Sequence, residues 1–95
     1  MACATITSDP NPQKGQTHRS SDNFSTDGCG SVSIRWSCPD GIIFDVMEDV
    51  SLRTDPVIHA SLTNGSVTPN DHSRSLYIAN PRNAAGNFVV SVDRA

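Results

Sequence analysis

Lysine and glutamate are almost missing from this chain: Lys14 is its only lysine and Glu48 its only glutamate. These are the usual solvent-facing residues of helices, whereas the nine aspartates that take glutamate's place compete with the helix backbone for hydrogen bonds. A helical architecture is therefore disfavoured. Aromatic residues make up 5% and hydrophobic residues 36% of the 95 positions, below the roughly 45–50% of an average globular domain on a count that includes glycine. The core must be small. No stretch approaches the about 18 consecutive apolar residues of a bilayer-crossing helix. The first seven residues also lack the basic and apolar regions of a secretory leader, so no membrane partner is expected and the compartment is left open.

Positive charge is scarce as well. The formal net charge is −3, and without clustered lysine and arginine no nucleic-acid partner is expected. Residues 1–50 carry three bases and seven acids (−4) and residues 51–95 four bases and three acids (+1), which together give the −3. That asymmetry suits either a head-to-tail contact between copies or a solvated surface. Three cysteines, Cys3, Cys29 and Cys38, form no C-x-x-C pair, so a zinc site is not expected, nor any cofactor. Cys29 and Cys38 cannot be bridged if residues 31–38 are extended, because the ends of such a strand lie far beyond the roughly 7 Å a disulfide spans. A bridge from Cys3 to Cys29 or to Cys38 is left open for an oxidising compartment. Cys38, close to Trp36, reads as a buried apolar thiol.

What the chain does contain is alternation. From Ser31 to Cys38, Val32, Ile34, Trp36 and Cys38 fall on one face of a strand and Ser31, Ser33, Arg35 and Ser37 on the other. Pro39, Asp40 and Gly41 make a turn, and a second strand from Ile42 points Ile42, Phe44 and Val46 inward. Beyond Asp45 the spacing of Val46, Met47 and Val50 also fits a helical turn, but the β-branched content and the missing cap favour strand. Residues 56–62 form a further strand. Asn64 and Gly65 then signal a type I′ hairpin, with residues 66–68 pairing back until Pro69. Residues 75–79 and 87–93 complete the set, separated by a turn at residues 80–83, the last strand burying Phe88, Val90 and Val92. A short edge strand is expected at residues 3–7. Residues 8–30, poor in anything to bury except Phe24, read as a long loop, loosely ordered or functional, or as weak edge strands. The expectation is one domain over residues 1–95: an all-β antiparallel sandwich or barrel of six to seven short strands with a long N-terminal loop segment.

No catalytic pattern stands out. His18, His59 and His72 each lie near an acid or hydroxyl, but no nucleophile motif accompanies them, and Asp55 and His59 are about 13 Å apart along a strand. Asp40, Asp45, Glu48 and Asp49 form an acidic cluster, in which Asp45 and Asp49 share a strand face too widely spaced for one cation. Arg35 and Tyr77 are candidate exposed binding residues on polar strand faces. Asn23 and Asn64 lie in N-x-S/T sequons at a frequency expected by chance in a chain with seven asparagines and twenty serines and threonines.

The function expected from these features is a non-enzymatic binding or assembly module. It would act through exposed strand edges and loops, by protein contact or self-association, for instance as a structural component of a viral or phage particle. The alternatives are a carbohydrate- or calcium-binding module using Asp45 or Asp49, and a small hydrolase using one of the three histidines.

Overall fold

The computed structural model describes residues 2–95 as seven strands. In chain order they are β1 (Ala4–Ser8), β2 (Ile34–Ser37), β3 (Ile43–Glu48), β4 (Val57–Leu62), β5 (Val67–Thr68), β6 (Leu76–Arg82) and β7 (Phe88–Arg94). One sheet runs in the order β1-β7-β2-β5 and the other β4-β3-β6, every pairing antiparallel. The fold is a small β-sandwich.

The period-two signal decides what lies between the sheets. Ile34 and Trp36 of β2, Phe44 and Val46 of β3, Leu76 and Ile78 of β6, and Phe88, Val90 and Val92 of β7 form a single buried cluster with Ile6 of β1. Trp36 sits at its centre, fully buried, edge-on to Phe24 and Phe44 at 6.2 Å each, with its indole N–H donating to Thr68 Oγ1 at 2.9 Å. That last bond satisfies the one polar atom such a residue brings into a core.

Several sequence expectations need correction. The strand expected over residues 31–38 contracts to Ile34–Ser37, which leaves Val32 exposed and Cys38 only half-buried. The strand from Ile43 does continue past Asp45 to Glu48. Asn64 and Gly65 do form a turn, with the Ser66 N–H donating to Thr63 O at 3.0 Å, but no hairpin follows. Only Gly65 has a positive φ (87°), as a type II turn requires, and β5 crosses to pair with β2 in the opposite sheet. The turn expected at residues 80–83 starts later, since β6 runs through Pro81; a register shift opposite Ile43 and Asp45, with Asn80 at φ 50°, accommodates the missing N–H.

Residues 9–30 contain no regular strand, yet they are tied down. The Ser20 and Asn80 amides donate to Ile78 O and His18 O at 2.8 and 3.1 Å, and Phe24 and Leu76 exchange two backbone bonds. This strap covers the outer edge of β6. Its serines are buried in place of apolar residues: Ser20 Oγ lies 2.8 Å from Ser8 Oγ, and Ser21 Oγ accepts from the Ile78 N–H at 2.8 Å. A chain poor in hydrophobic residues thus closes its interior with paired hydroxyls. A Cys3–Cys29 disulfide, with Cα atoms 5.2 Å apart, closes the loop that contains the strap.

Candidate functional site

The four residues singled out from the sequence do not converge. Arg35 projects from the outer face of β2, facing Asp93 and Val67 in register, and donates to Gly65 O at 3.3 Å. Tyr77 belongs to the other sheet and is not exposed: only 3% of its surface is accessible, because the loop after β3 and the strap cover that face. Arg19 stacks 4.0 Å above its ring, and its hydroxyl donates to Asp55. Burial, reinforced by that carboxylate, pushes the Tyr77 phenol well above its ordinary pKa. The Tyr77 hydroxyl and then the Val50 N–H hold Asp55 below its own. An exposed aromatic platform shared by Arg35 and Tyr77 is therefore ruled out.

Asp45 and Asp49 are engaged separately. Asp45, expected to face solvent, is nearly buried because both faces of β3 are covered: Phe44 and Val46 enter the core between the sheets, while Asp45 lies opposite Ala79 on the outer face, where Met47, Tyr77 and Ala79 form a second buried cluster, giving four consecutive buried residues. It accepts from the Ser61 N–H at 2.8 Å, Asn80 at 3.0 Å and Arg82 at 3.2 Å. Burial raises its pKa, but these three donors outweigh burial and hold it below the ordinary carboxylate value. Asp49 instead binds Arg19 at 3.3 Å and Asn23 at 2.8 Å. Among the described residues no group of three or more His, Cys, Asp or Glu side chains gathers as metal ligands would.

The histidines differ from one another. His18 meets Asn80 at 3.0 Å on the surface. His59 lies 3.1 Å from Asp71 with its side chain 12% exposed, and burial lowers its pKa despite the opposing pull of that carboxylate. His72 has Ser31 Oγ 3.1 Å from Nε2 and Asp27 Oδ1 4.0 Å from Nδ1, an order of groups found in serine hydrolases. The carboxylate is beyond hydrogen-bond reach, and the His72 and Asp27 side chains are 45% and 59% exposed, so water screens their coupling. A shallow cavity of about 590 Å³ beside them is lined by Phe24, Asp27 and Ser73 but by neither Ser31 nor His72.

The strand edges differ more sharply than the side-chain clusters. β6 is covered by the strap. β4 follows Pro56, slips register twice against β3 and carries Ser61 at φ 56°, features that twist an edge away from further pairing. β5 has two residues and ends at Pro69. β1 has neither proline nor bulge, and the strap touches it only at its C-terminal end, where Ser20 Oγ lies 2.8 Å from Ser8 Oγ and Ser20 O accepts from the Asp9 N–H at 2.8 Å. It pairs with β7 in unbroken register over five residues, from Ala4↔Val92 to Ser8↔Phe88. Its far side takes part in no strand pairing, and Ala4–Ser8 exchange no backbone hydrogen bond with any turn or loop among the described residues. Thr5 and Thr7 face solvent while Ile6 and Ser8 are buried. Beside them on β7, Val89 is 47% exposed and Ser91 lies opposite Thr5, so the outer face here carries small, uncharged side chains. The sequence did indicate a short edge strand in this place, but not that β6 would be covered, β4 irregular and β5 only two residues long. Comparison with protein-family models, curated proteins and solved structures gives no match.

Proposed function

We propose that this chain is a non-enzymatic binding or assembly module whose working surface is the open side of β1. The observation that carries this is the contrast among the four sheet edges: three are covered, bulged or cut short, and the fourth is regular, uncharged and free of proline. An unguarded row of N–H and C=O groups is a template for an added strand. The disulfide supports this by anchoring Cys3, one residue before the strand begins.

The test is an NMR titration with a capped peptide carrying the sequence of residues 4–9. Amide shifts confined to β1 and its neighbour β7 are expected, saturating only above about 100 μM because the added area falls far short of the roughly 1,000 Å² of a stable interface. Unchanged β1 amides at millimolar peptide would contradict the proposal.

The contact between Ser31 and His72 favours one second reading, a weak hydrolase. It requires turnover of an activated phenyl ester that disappears in H72A. Equal rates for wild type and H72A remove it.

A further inference from the structure

We infer that the strand received by β1 is the β1 of a second copy, paired antiparallel about a two-fold axis through Ile6. The inference rests on the β1 edge being the working surface and adds the identity and register of the partner.

The edge is complementary to itself. In an antiparallel pair of identical strands centred on Ile6, Ala4 lies opposite the partner's Ser8, Thr5 opposite the partner's Thr7, and Ile6 opposite its own counterpart. The side chains alternate in the same sense on both strands: Thr5 and Thr7 stand on the exposed face and Ile6 and Ser8 on the buried one. The two-fold register therefore joins outer face to outer face and core face to core face, whereas a slip of one residue would set threonine beside isoleucine. On the outer face it creates two Thr–Thr cross-strand pairs, a favoured combination, with Val89 of each copy next in line across β7. No like charges meet. The pairing ends at Ser8, because the next N–H, that of Asp9, already donates to Ser20 O of the strap at 2.8 Å, so the nearest charged residue stays outside it. The result is one continuous sheet of eight strands, β5-β2-β7-β1 from each copy, in which the last unguarded edge of the sandwich has disappeared.

Sedimentation velocity of three proteins tests this. T5K/T7K places lysines opposite lysines across the axis, whereas T5K/T7D places each lysine opposite an aspartate of the other copy; both change the same two exposed positions, and matching circular dichroism and melting show that both fold. Wild type is expected to pass from monomer to dimer as concentration rises into the high micromolar range. T5K/T7K should raise the dimer dissociation constant about tenfold or more, and T5K/T7D should stay within about threefold of wild type, given two symmetry-related pairs of either kind. A wild-type dimer indifferent to T5K/T7K overturns the inference, and so does a T5K/T7D protein as dissociated as T5K/T7K. A wild type that stays monomeric to millimolar concentration also overturns it, while peptide shifts at β1 would leave the edge itself standing as a site for another strand.

Discussion

At the scale of single residues, the polar groups drawn into the sandwich make its stability depend on pH. His59 is packed edge-on to Trp36 at 6.2 Å, and burial holds its folded-state pKa below the ordinary value of about 6.5. The unfolded chain therefore takes up the proton first, so stability is complete above about pH 6.5 and declines as pH falls from there through the folded-state pKa. Melting temperatures between pH 7.5 and 5 should fall for wild type and fall less for H59Q; equal slopes would show that His59 does not govern this window. Asp45 acts at lower pH. Its depressed pKa makes its contribution present above about pH 3.9 and lost as pH falls through the folded-state value. D45A should cost about 1–3 kcal/mol in urea unfolding at pH 7, because the Ser61 N–H, Asn80 and Arg82 all lose their acceptor. A change below a few tenths would mean water replaces the carboxylate.

At the scale of elements, stability comes from covering edges and tying down the strap. The Cys3–Cys29 bridge closes a loop across 26 positions, which in the chain-entropy estimate is worth about 3–4 kcal/mol. C3S/C29S should accordingly melt more than about 10 °C lower than wild type, as expected for a domain of this size. C38S should melt close to wild type, since Cys38 is an unbridged, half-buried thiol whose pKa burial pushes up. Much at this scale was legible in the sequence. The alternation through Ile34 and Trp36 and through Phe88, Val90 and Val92 located two strands and their buried faces, because burial on one side writes a period of two. The strap was not legible, because its attachments are backbone bonds to β6 and buried serine hydroxyls, which look in sequence like those of any polar loop. The crossing of β5 to the other sheet was hidden for a similar reason: a Gly65 turn fixes a change of direction, and pairing with β2 rather than β4 is decided by packing. Tyr77 was misplaced because alternation assigns a residue to the outer face of a sheet without showing what lies over it, here Arg19.

At the scale of the whole molecule, 95 residues with one apolar core between the sheets and a second cluster of Met47, Tyr77 and Ala79 leave little surplus stability. Hydroxyl pairing, the disulfide and the strap supplement that core; of the sheet edges other than β1, β6 is covered by the strap, β4 is irregular and β5 is two residues long. The remaining edge is where the sequence's neutral polar composition matters, because Thr5 and Thr7 keep β1 soluble without the lysine or proline that would forbid another strand. Amide hydrogen exchange across β1, compared at about 20 μM and about 1 mM protein, tests this most directly, since an added strand protects only the amides it bonds. Protection should rise with concentration at alternate residues of Ala4–Ser8 and remain constant along β4 and the strap. Exchange along β1 that is independent of concentration, or protection gained at β4 instead, would contradict it.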